Sequence, residues 1–112
     1  MDIVNIRKKN LVKIGYKDFN EWNKKKDHLY IGRNMSFYVP GTEESKWKNP
    51  FSSKKYGRNE CIELYEDYIK KSKLYNQLEE LNGKVLGCWC KPEACHGDVL
   101  IKLLKEKLKS NK

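Results

Sequence analysis

Apolar positions along the chain fall into short, separate clusters. "DIVNI" alternates apolar and polar side chains at period two and predicts a first strand ending at Arg7. Residues 8–27 are polar and lysine-rich, with Leu11, Ile14, Tyr16, Phe19 and Trp22 irregularly spaced. They predict a loop with a short helix around residues 19–25. "HLYIGR", residues 28–33, is β-branched and aromatic, stops at Gly32 and predicts a strand. "MSFYVP" predicts a further strand, closed by Pro40 and Gly41. "SKWKNPF" cannot be helix interior, because the proline pushes Asn49 toward extended geometry. After Gly57 the period becomes helical. Cys61, Ile62, Tyr65, Tyr68 and Ile69 share one face, acids come early, and lysines stand at 70, 71 and 73, as the helix dipole favours. A helix over 58–73 follows, and Leu74, Leu78 and Leu81 extend helical structure to Asn82-Gly83. "KVLGCWC", residues 84–90, is apolar enough for a central strand, and Pro92 ends it. From His96, the positions Val99, Leu100, Leu103, Leu104 and Leu108 make one face of an amphipathic helix with lysines outside.

Strand, helix, strand, helix in this order argues for an α/β fold: a small, single-domain, Rossmann-like sandwich with a short, partly parallel sheet and flanking helices. The 112 residues suffice for one domain, over 1–112, with a small core, since 38% are hydrophobic and 35% charged. No stretch approaches the roughly 20 apolar residues of a membrane span. "MDIVNIRKKN" has no apolar segment behind a basic start, so no signal peptide is expected and a cytoplasmic location is. In such a reducing compartment clustered cysteines serve metal or redox chemistry more often than disulfides. Lysine and arginine number 24 against 15 acids, a net charge of +9. That balance points to a polyanionic or phosphorylated partner, although a lysine-rich vocabulary also fits plain compositional bias.

The densest chemistry lies in "GCWCKPEACHGDVL", residues 87–100. On a strand, Cys88 and Cys90 share one face while Trp89 packs the other. The chain then delivers Cys95 and His96 to the start of the last helix, at the carboxyl end of a strand, where open α/β sheets place ligands. Three readings stand side by side. Cys88, Cys90, Cys95 and His96 supply the four N/S ligands of a tetrahedral zinc, but the C-x-C-x4-C-H spacing is poor, and adjacent Cys95 and His96 would point apart. Alternatively, Cys95 is a thiol whose thiolate a helix N-terminus stabilises below the free value of about 8.5, with His96 or Asp98 handling its proton. Or the cysteines simply pack, as buried cysteines often do.

A second constellation, "SKWKNPFSSKKYGR" at 45–58, interleaves five basic residues with three aromatics and carries no acid, a composition that can hold phosphates and stack bases. Its bland reading is a loop anchored by Trp47 and Phe51 with lysines in water. Gly32-Arg33, just past a strand, can admit and grip an anion. No P-loop and no dinucleotide fingerprint is present.

"VNIR", "YIGR", "SKWKNPF", "YGRNE" and "GCWCKPEACHGDVL" occur in an order that resembles a small uncharacterised domain family of bacteriophages, bacteria and large DNA viruses. Its hallmark is a YIGR…W-x-NPF…CWC-x-P-x-x-CHGD pattern. The resemblance covers about 4–104, leaving a basic tail at 105–112, and implies a host-cytoplasmic location for a viral member. It implies no activity. The chain departs in Lys48, where glycine is common, and in a longer lysine-rich insert at 8–27. Cys61 lies outside the motifs and reads as an inert core residue. The ending is also similar to that of a second uncharacterised Rossmann-like family, C-x-E…CHR, in which an acid replaces Cys90. That likeness favours a pocket built on Cys88, Cys95 and His96 over an obligatory zinc site.

The expectation is therefore a pocket for a nucleotide, nucleoside or related phosphorylated ligand. Cys95, His96 and Asp98 are its chemical residues, and Arg33, Lys46, Trp47, Asn49, Arg58 and Cys88 hold the ligand. The alternatives are a zinc-containing nucleic-acid-binding module and a viral accessory protein with structural cysteines. Whether the protein is an enzyme is left open, and no membrane partner is expected.

Overall fold

The structure is a computed structural model, and the residues described are 2–51, 53–89 and 95–110. Three short strands, β1 (Asp2–Asn5), β2 (His28–Tyr30) and β3 (Val85–Cys88), form a parallel sheet in the order β1-β3-β2. Asp2 lies opposite Val85 on one side of β3, and His28 lies opposite Val85 on the other. The ladder runs past the strand ends: Ile6 N–H donates to the Cys88 carbonyl (2.9 Å) and Ile31 N–H to the Gly87 carbonyl (3.0 Å).

Alternation along the strands sorts their side chains into two cores. On one face Leu86 and Cys88 are buried with Tyr65 and Ile69 of α4 (Arg58–Lys71), with Leu78 and Leu81 of a 3-10 segment (Lys73–Leu81), and with Val99, Leu100, Leu103 and Leu104 of α5 (His96–Ser110). On the other, Ile6 and Tyr30 pack with Leu11 of α1 (Lys8–Lys13) and with Phe19 and Trp22 of α2 (Phe19–Asn23), and Val4, Val85 and Trp89 lie against them. A single turn, α3 (Ser53–Tyr56), precedes α4. The α/β expectation is met, with every described strand parallel. No described helix is long and apolar enough to cross a membrane.

Three sequence expectations change. Residues 8–27 hold two helices rather than one. The second starts where the Asp18 carboxylate accepts from Glu21 N–H (2.9 Å), whereas the first has no side-chain cap and buries only Leu11, a signal too weak to read. "MSFYVP" is not a strand. The N–H groups of Tyr38 and Val39 both donate to the Met35 carbonyl, and Met35 N–H donates to the Thr42 carbonyl. The segment is thus a closed turn that leaves Phe37 and Tyr38 exposed. The strand expected at 28–33 ends at Tyr30, because that tyrosine's ring folds back over Gly32 and occupies the space of a side chain there.

The middle strand is glycine at 87 for a similar reason. A Cβ there would lie 2.6 Å from the Trp22 ring and 2.8 Å from Ile6, and both residues are fully buried. Gly87→Ala is therefore expected to lower stability by about 1–3 kcal/mol, the usual cost of overpacking a filled core. Denaturant unfolding measures it, and an unchanged midpoint would mean that Trp22 does not fill that space.

Candidate functional site

Beyond the carboxyl ends of β2 and β3 lies a cleft of about 290 Å³. Gly32, Arg33 and Met35 line it from the segment after β2, Cys88 and Trp89 from the end of β3, and Cys95 and His96 from the start of α5. Asn49 and Phe51 supply one wall, and Arg58, Cys61 and Ile62 of α4 another. The lining has two arginines and no carboxylate among the described residues, so its electrostatics favour an anion.

His96 is buried, with Nε2 2.7 Å from the Ile31 carbonyl. A carbonyl only accepts, so Nε2 carries the hydrogen and the neutral ring leaves Nδ1 bare. Nδ1 lies 3.8 Å from Cys95 Sγ, which also accepts from Gly97 N–H (3.4 Å). Burial holds the imidazole's pKa below its ordinary value; the Ile31 bond opposes the shift and the Arg33 charge adds to it. The Tyr65 ring meets the imidazole edge-on at 5.0 Å, and its hydroxyl donates to the Trp47 carbonyl (2.6 Å). Burial pushes that phenol's pKa far up, so it remains a donor.

The "NPF" wall is pinned by a thiol. Asn49 Nδ2 donates to Cys61 Sγ (2.9 Å), Cys61 Sγ donates to the Phe51 carbonyl (3.1 Å), and Asn49 Oδ1 accepts from Phe51 N–H (2.9 Å). At the ends of β2 and β3, Trp89 Nε1 donates to the Tyr30 hydroxyl (2.8 Å), which donates to the Arg33 carbonyl (2.6 Å).

A family model described as "Domain of unknown function (DUF4326)" matches residues 14–106. The chain belongs to that family. "Uncharacterized protein R718" of Acanthamoeba polyphaga mimivirus is 42% identical over 86 residues, 69% of this chain and 66% of the relative. An "Uncharacterized 12.4 kDa protein in nrdA-td intergenic region" of Enterobacteria phage T4 is 34% identical over 70 residues, 58% of this chain and 65% of the relative. The chain thus spans just under two thirds of the length of these curated relatives. No solved structure matches it.

In this DUF4326 domain the cleft gathers Arg33, Asn49, Arg58, Cys88, Cys95 and His96 from the residues singled out in the sequence. Cys95 and His96 do not point apart, since both line it. Three others lie elsewhere. Lys46 pairs with Glu80 (2.6 Å), and Trp47 is buried with its indole N–H on Glu80 (3.3 Å), on the far side of the "NPF" loop. Lys48 pairs with Glu44, so two of the five basic groups in that loop are already matched by acids. Asp98 accepts from Cys95 N–H (3.1 Å), an acid closing the first turn of α5 from outside the cleft. Cys61, read as an inert core residue, lines the cleft and anchors its wall. Met35 and Trp89 were not anticipated as lining residues, because their approach depends on how the turn and the sheet end fold. Cys90, the remaining ligand of the zinc reading, lies outside the described residues. Among the described residues no three His, Cys, Asp or Glu side chains group as metal ligands.

The buried histidine gives a pH dependence with a definite sign. Below the ordinary value of 6.5 the unfolded chain takes up a proton that His96 resists, so the unfolded state binds more protons and stability falls with acid. A slope of up to about 1.4 kcal/mol per pH unit is expected below about pH 6.5, and it should be absent in folded His96→Gln. Below 4.5, Glu66 and Glu79, whose carboxyls lysines hold low, add their own loss. Unfolding midpoints of both proteins across pH 4–8 test it; equal slopes would sink the assignment.

Proposed function

We propose that this domain binds a nucleotide, nucleoside or related phosphorylated ligand in the cleft, and that Cys95 with His96 acts on it. The observation that carries the reading is the presence of both Arg33 and Arg58 in a concave lining that has no carboxylate among the described residues. Guanidinium groups match phosphate oxygens with paired donors. The cleft's position beyond the ends of parallel strands is also where Rossmann-like sheets hold ligands, and we place the fold in that class.

The chemistry follows from the dyad. The imidazole is oriented by the Ile31 carbonyl and leaves Nδ1 to take the Cys95 proton, so a thiolate forms beside an imidazolium. A thiolate is the nucleophilic form of cysteine. Cys61 makes a contrast, since its thiol is engaged with Asn49 and Phe51.

Two outcomes are expected. Arg33→Ala and Arg58→Ala should each weaken adenosine 5′-monophosphate binding about tenfold by calorimetry, the loss of one charged hydrogen bond. Retained affinity in both would end the anion reading, and an oligonucleotide bound with a steep salt slope would assign the protein to polyanions instead. In the wild-type protein at pH 7, Cys95 should react with iodoacetamide faster than Cys61, with and without chelator, as mass spectrometry of the peptides reads. Equal rates in the metal-free folded protein would remove the thiolate role.

A further inference from the structure

Trp89, just after β3, and Arg58, which opens α4, both line the cleft, and the half-buried indole packs on its other side against the core of Ile6, Phe19, Trp22 and Tyr30. Its indole has a single polar group, the Nε1 hydrogen, and that group is already given to the Tyr30 hydroxyl at 2.8 Å. The Tyr30 hydroxyl in turn donates to the Arg33 carbonyl at 2.6 Å, and its ring sits edge-on to Trp89 at 6.3 Å and 83°. The tryptophan is thereby held at both its donor and its ring. What it can offer a ligand is carbon surface. Met35, Phe51 and Ile62 add further apolar lining, whereas Arg33 and Arg58 carry the charge. The cleft lining thus combines cationic and apolar residues.

We infer that Trp89 is the platform that receives an aromatic nucleobase, so that the ligand is a nucleotide rather than a sugar phosphate or another small phosphorylated molecule. This rests on the phosphate-binding reading above and narrows it. A planar base buries its face on an indole without needing a hydrogen bond from it, which suits a tryptophan whose N–H is spent. Stacking on an aromatic side chain contributes about 1–3 kcal/mol per base, so the base should improve affinity by about five- to 150-fold over the same phosphate without it. A sugar phosphate, polar all round, gains nothing from that wall. Tyr30 is a positioning residue here: it ties the base platform to the backbone of the arginine that grips the phosphate.

The test compares adenosine 5′-monophosphate with ribose 5-phosphate by calorimetry on the wild-type protein, Trp89→Leu and Trp89→Phe. The expected result is a wild-type preference for the nucleotide of about tenfold or more, lost in Trp89→Leu and largely kept in Trp89→Phe, which retains a ring. Tryptophan emission provides a second measurement that does not depend on the leucine variant folding. Trp22 and Trp47 are fully buried away from the cleft lining, so nucleotide-dependent quenching should be present in the wild type and absent in Trp89→Phe. Equal binding of the two ligands would overturn the base platform while leaving the phosphate reading standing. A nucleotide preference that persists in folded Trp89→Leu, or quenching that persists in Trp89→Phe, would overturn it as well. If neither ligand binds, the phosphate reading fails and the platform with it.

Discussion

Everything in this molecule hangs on β3 being paired on both sides. Its backbone satisfies β1 at one edge and β2 at the other, and the ladder continues to Ile6 and Ile31 past the strands themselves. In a parallel sheet the strands end together, so their carboxyl ends release three chain segments at one place. The peptide of Ile31 shows the consequence. Its N–H closes the ladder on Gly87, and its carbonyl receives His96 at the start of α5. One residue joins the sheet to the helix that begins with His96.

That junction also decides the chemistry. An imidazole on the surface would titrate near its ordinary value and choose its tautomer freely. Here burial favours the neutral ring, and the carbonyl selects the nitrogen that keeps the hydrogen. The remaining nitrogen faces a thiol that also accepts a backbone N–H. Two arginines share the lining, and the Arg33 charge disfavours the protonated histidine still further. The cleft therefore places its lasting positive charge on arginine, which does not give up its proton, and leaves the neutral ring of His96 with a nitrogen that can accept one.

The basic character of the chain divides in the same way. A net charge of +9 invites a polyanion-binding surface, yet several lysines are matched locally. Lys46 and Lys48 answer Glu80 and Glu44, Lys70 and Lys102 converge on Glu66, and Lys107 reaches Glu79. Such exposed pairs contribute little stability, but they consume charge that a count of residues would assign to a partner.

Local pattern was enough to place β1, the start of β2, β3, α4 and α5, since each has a hydrophobic period of its own and a clear stop. It was enough, too, to bring Cys88, Cys95 and His96 to one end of a strand, because so few residues separate them that they stay close whatever else the fold does. The family resemblance to phage and large DNA virus proteins was legible in the same motifs. Tertiary structure alone decided the rest. Which face of the "NPF" loop looks into the cleft depends on Cys61 and Tyr65, twelve and eighteen residues from their partners Asn49 and Trp47, and so Trp47 is buried in the core and Lys46 turns to Glu80 while Asn49 lines the cleft. Trp89 became part of the cleft because β2 ends in a tyrosine that folds over Gly32 and takes the indole N–H. Sequence specifies what repeats along the chain; contacts between distant segments, set by how two helical layers fill the faces of one short sheet, decide which side chains share a cavity.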